Sequence, residues 1–140
     1  MGDSGTQVRF EAKDKITLGT VDGTNVLDGM NVADFGNSVL EFAKDKSALQ
    51  LLLSFENITY MSSAALTELL RINEALKASS GSVRLCNLTN DIRKVFQITN
   101  LDRMFAIHDE EDVETASKRF QRSLSVAAEE DAWAGQDSGG

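Results

Sequence analysis

The chain changes from a strand pattern to a helix pattern within one short stretch, Ile58-Thr59-Tyr60-Met61-Ser62-Ser63-Ala64-Ala65-Leu66. An apolar, strand-like run stops here, two serines follow, and an apolar helical pattern begins at once. A phosphate on a first-turn hydroxyl would meet backbone N–H groups that lack intrahelical acceptors, at the positive end of the helix dipole. The junction is therefore a candidate phosphorylation site. A serine in this position is also the ordinary N-cap of a helix, and position alone favours the cap.

Strand-like and helical segments alternate on both sides of this junction. Residues 8–21 predict one or two opening strands, and an apolar stripe at helical spacing predicts a helix that ends near Lys44. The nearly continuous apolar run 49–55 is typical of a strand covered on both faces, so we expect it at the centre of a sheet. The later elements are predicted as a helix from the serines to Ala78, a strand at 83–86, a helix capped by Thr89 and closed at Thr99-Asn100, a strand at 104–107, and a helix that starts at 109–112 and ends at Phe120.

This alternation determines the predicted fold class. Strands that alternate with helices are joined by right-handed crossovers and form a parallel or mixed sheet covered by helices. We therefore predict an α/β fold with a mixed, largely parallel sheet and about four helices. In such sheets the functional surface lies at the carboxyl ends of the strands, the edge that would carry the turn at Ser62 and Ser63.

Composition indicates one cytoplasmic domain that interacts with protein. The chain has 140 residues, 41% of them hydrophobic, enough for one core, and a lone cysteine, Cys86, as expected in a reducing compartment. No segment reads as a signal peptide or a membrane span. We divide the chain into a flexible N-terminus (1–7), one domain (8–120) and an acidic, disordered tail (121–140). The formal charge of −8 argues against nucleic acid and anionic lipid and favours a protein partner with basic patches.

The residue pattern does not favour an enzyme. The predicted functional edge has no glycine-rich phosphate cradle, no metal-ligand spacing and no G-x-S-x-G elbow around the serines. His108 is expected to be a solvated loop histidine, and Cys86 a small buried hydrophobe without a nucleophilic role. We expect a non-enzymatic protein without cofactor or metal. A serine-dependent hydrolase is the contrary hypothesis, and it predicts esterase activity that Ser63→Ala removes.

Three segments, in a characteristic order, carry a family resemblance. An apolar strand runs into Met61-Ser62-Ser63-Ala64-Ala65-Leu66, the pair Leu27-Asp28 precedes the first predicted helix, and residues 87–96 with 99–102 form a helix and a hydrophobic closing turn. With these segments, residues 8–120 resemble the STAS domain family, and within it the stand-alone bacterial anti-sigma factor antagonists. The turn is similar to the family's D-S-[ST]-G-L pattern, in which the second hydroxyl residue accepts phosphate.

The resemblance implies a partner-switching protein in transcription regulation. The unphosphorylated form would bind an anti-sigma factor that is also a serine kinase with a histidine-kinase-like ATPase fold, which releases the sigma factor. Phosphorylation of Ser63, with Ser62 as second choice, would end the interaction, and a metal-dependent serine phosphatase would restore it.

The resemblance also implies a partner-binding surface around the junction. The turn departs from the family pattern in two places, with Met61 where the pattern has the acid and Ala64 where it has glycine. Asp28 is an acid that could supply the missing charge, or a simple helix-entry residue. Exposed methionines at positions 30 and 61 would suit an adaptable interface. The candidate partner-binding residues are Asp28, Met30, Asn31, Met61, Ser62, Ser63, Ala64, Thr67 and Arg71, with Glu68 and Asn73 also on the second helix.

Beside the hydrolase, a second alternative to the switch stays open. Other STAS proteins serve as constitutive scaffolds or as soluble subunits of membrane transport complexes, and there the hydroxyl motif would be a packing or docking surface. Met61 in place of the acid keeps this alternative open.

Overall fold

The structure is a computed structural model that describes residues 7–29, 31–108 and 112–139. The strands are β1 (Gln7–Lys13), β2 (Ile16–Asp22), β3 (Val26–Leu27), β4 (Gln50–Ser54), β5 (Tyr60–Met61), β6 (Ser82–Cys86) and β7 (Ala106–His108). The α-helices are α1 (Val32–Ala43), α2 (Ser63–Ala78), α3 (Asn90–Ile98) and α4 (Val113–Gly139), and a 3₁₀ turn spans Leu101–Arg103. The predicted α/β class is confirmed.

Five strands form the main sheet, in the order β1-β2-β4-β6-β7. The first pair is antiparallel, joined by a tight turn in which Asp14 has a φ of 58°, and the other pairs are parallel. The prediction that residues 49–55 contain the central strand is confirmed, because β4 lies in the middle of the sheet.

The sheet separates two hydrophobic cores. Leu51 and Leu53 face a large core covered by α1, α2 and α3, whereas Leu52 faces a smaller core built on Ala116 and Phe120 of α4. Successive side chains of a strand point to opposite faces, so a continuous apolar run is what a strand between two helical layers requires.

Beside the main sheet, a second sheet of two short strands leads into the turn at Ser62 and Ser63. β3 pairs with β5 in parallel, with Val26 opposite Tyr60 and Leu27 opposite Met61. The sequence pattern did not predict this pairing, because strands of two residues leave no periodicity to read.

The end of the chain requires two corrections. The last strand is Ala106–His108, not 104–107, because Met104 follows the 3₁₀ turn and is exposed. His108 is consequently a strand residue rather than a loop residue.

The predicted end of the last helix at Phe120 is also wrong, because α4 continues to Gly139. Leu124 packs against the smaller core and no proline interrupts the helix, so the pattern extends past the predicted boundary. The predicted acidic start at residues 109–111 lies outside the described residues.

Two further observations concern the chain as a whole. In the part that the structure describes, no helix combines the length and the apolar character needed to cross a bilayer. Cys86 is fully buried in the smaller core, as predicted.

Candidate functional site

The pairing of β3 with β5 builds the candidate site. The amide of Thr59 donates to the carbonyl of Asn25 at 2.8 Å, and the amide of Ser62 donates to the carbonyl of Leu27 at 2.8 Å. Because the strands are parallel, the chain segments that follow them leave at the same end. The loop that begins at Asp28 is thus placed beside the first turn of α2.

The two serines have different structural roles. Ser62 is the N-cap of α2, with extended backbone angles, and its hydroxyl oxygen accepts a hydrogen bond from the amide of Ala65 at 3.3 Å. Ser63 is the first helical residue, and its side chain is exposed. The sequence left open whether a serine here is a helix cap or a candidate phosphorylation site. In the structure Ser62 is the cap, and Ser63 has the accessible hydroxyl.

The environment of the Ser63 hydroxyl suits an anion. Backbone N–H groups in the first turn of a helix have no carbonyl four residues earlier within the helix, and they point toward the N-terminal end. The positive pole of the helix dipole lies at the same place. Ala64 is exposed beside Ser63, so a phosphate on Ser63 would stay at the surface and in contact with solvent.

The loop that contains Asp28 is braced from inside. The Asn31 side-chain oxygen accepts from the amide of Asp28 at 3.0 Å, and its nitrogen donates to the carbonyl of Val26 at 2.8 Å. The carbonyl of Asp28 in turn accepts from the amide of Val32 at 2.9 Å and starts α1. The half-buried Asn31 thus uses its amide to hold the loop, and this bracing role was not foreseen. Met30 lies outside the described residues.

The exposed face of α2 is narrower than predicted. Ser63, Thr67 and Arg71 are exposed and follow one another at intervals of four residues, which places them in one row on the helix. The Thr67 hydroxyl donates to the carbonyl of Ser63 at 3.2 Å. Ser63, Thr67 and Arg71 together are called the exposed row below.

Three predicted interface residues are buried instead. Met61 is 6% exposed and packs in the large core, because the alternation along β5 turns Tyr60 outward and Met61 inward. Glu68 is 8% and Asn73 4% exposed. The prediction that Met61 is an exposed, adaptable contact is therefore wrong, as is the placement of Glu68 and Asn73 on the open face of α2.

Glu68 is enclosed between α2 and α1. A side chain on Gly36 of α1 would overlap the Glu68 carboxylate, so the two helices approach at this glycine. The guanidinium of Arg71 lies 3.2 Å from Glu68 Oε2 and holds the carboxylate at the edge of the interface.

Within the described ranges, the His, Cys, Asp and Glu side chains form no group of three that could hold a metal ion. The candidate site consists of a capped helix start, a braced acidic loop and a row of exposed side chains. Such an arrangement can recognise a protein surface and can carry a covalent phosphate.

A family model described as the STAS domain matches residues 7–116. The chain belongs to the STAS domain family. A curated relative from Bordetella bronchiseptica, named "Putative anti-sigma factor antagonist BtrV", is 26% identical over 115 residues, which are 79% of this chain and 97% of the relative.

Solved structures share the STAS fold of this chain. The anti-sigma factor antagonist SpoIIAA superposes in its unphosphorylated form with a TM-score of 0.60 at 19% identity, covering 83% of this chain and 97% of SpoIIAA. The phosphorylated form of Bacillus SpoIIAA gives a TM-score of 0.59 at 23% identity, with 80% and 97% covered. The murine anion transporter Slc26a9 gives a TM-score of 0.66 at 9% identity, and the match covers 85% of this chain but 22% of the transporter.

Proposed function

We propose that this STAS protein is an anti-sigma factor antagonist that is switched by phosphorylation of Ser63. The observation that carries the proposal is the division of roles between the two serines. Ser62 caps α2 with its hydroxyl, whereas the adjacent Ser63 presents its hydroxyl to solvent at the same helix start. The similarity to BtrV along nearly the whole length of that relative supports the same role.

The proposed partner is an anti-sigma factor that is also a serine kinase of the histidine-kinase-like ATPase type. It would contact the loop that begins at Asp28 and the exposed row Ser63, Thr67 and Arg71. A phosphate on Ser63 would bring about two negative charges into that contact, and burying an unpaired dianion at an interface is costly. Phosphorylation would therefore release the partner without a change of fold, and a metal-dependent phosphatase would reverse it. The interaction would take place in the bacterial cytoplasm, and the antagonist itself would catalyse no reaction.

The turn has Met61 where the family pattern has an acid, and this difference is compatible with the switch. Met61 points into the large core, while Asp28 directly follows Leu27, the β3 residue that pairs with Met61. Asp28 would thus provide the acidic group beside Ser63 from the adjacent loop.

Site-resolved mass spectrometry of the protein from its native cells tests the modification. We expect phosphate on Ser63 in a fraction that changes with stress, and none on Ser62, because its hydroxyl is engaged in the cap. The Ser63→Ala variant should then retain its partner from the same cells, and that partner should phosphorylate the wild-type chain when ATP is supplied.

A binding experiment with matched variants tests the switch itself. Ser63→Asp should weaken partner binding at least roughly tenfold, since it places charge in the contact. Ser80→Asp, two residues beyond the last residue of α2, adds the same charge away from the site and should bind like wild type. Equal binding by Ser63→Asp and Ser63→Ala would contradict the switch.

A second candidate is a docking module in a membrane transport complex. It is favoured by the fold similarity to a segment of Slc26a9. This candidate predicts that a partner co-purifies while Ser63 stays unmodified under every condition.

A further inference from the structure

A cavity of about 840 Å³, open to solvent, lies between α4 and the β6–β7 edge of the sheet. It is separate from the site around Ser63, because α4 covers the opposite face of the sheet from α1 and α2. Cavities of a few hundred to about 1,000 Å³ are the usual size of small-molecule sites. The residues that line it are Arg84, His108, Thr115, Lys118, Arg119, Arg122, Ser123 and Val126.

Positive charge dominates the lining. Four of the eight residues are arginine or lysine, in a chain whose formal charge is −8, and none of the eight carries a carboxylate. Those from α4 are spaced by three, one, three, one and three residues, so they form one face of the helix. Concentrating cations on one concave face of an acidic protein creates a local positive potential that attracts anions.

Arg84 is the preorganised member of the cluster. Its guanidinium stacks 4.5 Å from the ring centre of Phe120, and it donates to the hydroxyl of Ser123 at 2.9 Å. Burial lowers the pKa of Arg84 below its ordinary value, because the half-buried charge loses hydration. Among the residues that the structure describes, no carboxylate forms an ion pair with Arg84. An anion in the cavity would compensate this charge.

We propose that the cavity is a binding site for a small, multiply charged phosphate compound. Guanidinium groups form paired hydrogen bonds with phosphate oxygens, and Arg84, Lys118 and Arg122 place three cations around a cavity of this size, which matches several phosphate charges at once. The ligand would connect α4 to β6 and β7, and would therefore stabilise the docking of α4 on the sheet.

Calorimetric titration with tripolyphosphate tests the proposal. The 140-residue chain is used at constant ionic strength, because added salt alone screens charges. We expect saturable binding with one site per chain and a rise in the unfolding temperature. Lys118→Gln and Arg122→Gln, both at exposed positions, should weaken binding roughly tenfold or more each, since each removes a charge-assisted hydrogen bond.

Lys77→Gln is the matched control, because it removes an exposed helical lysine at the end of α2 and should leave the affinity unchanged. Equal weakening by Lys77→Gln would show a general charge effect and overturn the site. Absence of saturable binding would also overturn it, as would tighter binding of an oligoglutamate peptide than of tripolyphosphate. If tripolyphosphate bound only to a variant in which Asp109, Glu110 and Glu111 are replaced by neutral residues, the native chain would have no site, and the proposal would be overturned.

Discussion

Ser62 and Ser63 are chemically identical neighbours with different consequences for the protein. The hydroxyl of Ser62 satisfies a backbone N–H of α2, so its loss affects stability. The side chain of Ser63 is exposed, so under the proposed function its loss would affect recognition and not stability. This separation would allow Ser63 to be modified without weakening the helix that presents it.

Substitution of each serine by alanine tests this separation. Ser62→Ala should lower the free energy of unfolding by about 1 kcal/mol, because an N-cap hydrogen bond is lost. Ser63→Ala should change it by less than about 0.5 kcal/mol, as expected for an exposed position. Urea unfolding of both variants measures the difference, and equal effects would contradict the assignment of the cap.

A second single-residue prediction concerns Gly81, which follows α2. A side chain there would overlap the carbonyl oxygen of Leu49 and come within 2.9 Å of its amide nitrogen. Backbone atoms cannot move aside like a flexible side chain, so Gly81→Ala should destabilise the protein by roughly 1–3 kcal/mol. Gly29→Ala is the control, because nothing lies within 4 Å of its added methyl group. Thermal unfolding of the two variants should separate them clearly.

The contact between α1 and α2 depends on Gly36 and Glu68 as a pair. In an isolated helix, Gly→Ala would stabilise by up to about 1 kcal/mol through helix propensity. Here the methyl group would collide with the enclosed Glu68 side chain, so Gly36→Ala should destabilise. In a Glu68→Ala background the same substitution should become neutral or stabilising. A double-mutant cycle by chemical denaturation measures this reversal, and simple additivity would contradict the contact.

The start of α4 makes a pH-dependent contribution to the stability of the folded protein. Asp112 accepts from the amide of Thr115 at 2.8 Å, and hydrogen bonds from Thr115 hold the pKa of Asp112 below its ordinary value of 3.8. A carboxyl whose pKa is lower in the folded state contributes stability above its unfolded value, and loses it as the pH falls through the folded value.

Asp112→Asn keeps the capping ability but removes the charge. The stability advantage of wild type over this variant should therefore be present at neutral pH and shrink in acid below the ordinary Asp pKa. Urea unfolding across that range measures it. A difference that does not change with pH would contradict the role of the carboxylate.

The whole molecule depends on two cores that share one sheet. The smaller core joins α4 to the sheet through Phe120, which is fully buried. Phe120→Ala should cost about 3–5 kcal/mol, because it removes a buried ring and leaves a cavity. Val126→Ala, at an exposed position of the same helix, should have a small effect. If calorimetric unfolding showed equal effects, the docking of α4 would not contribute to global stability.

Most of the fold and part of the site follow from local pattern. Periodicity predicted the order of the main-sheet strands and the α-helices, because side chains repeat every two residues in a strand and every 3.6 in a helix. Turn and cap chemistry located the start of α2 at the serines and the start of α3 at Thr89, whose hydroxyl accepts from the amide of Ile92 at 3.2 Å. The exposure of Thr67 and Arg71 also agrees with the predicted surface.

The sequence by itself determined the α/β class, the central position of β4 and the capped junction at Ser62 and Ser63, because these properties depend on neighbours along the chain. The tertiary structure decided which serine is the cap, that Met61, Glu68 and Asn73 are buried, and that β3 pairs with β5. It also brought Arg84 of β6 to the basic face of α4. These features depend on contacts between residues far apart in the chain, whose packing no local periodicity records.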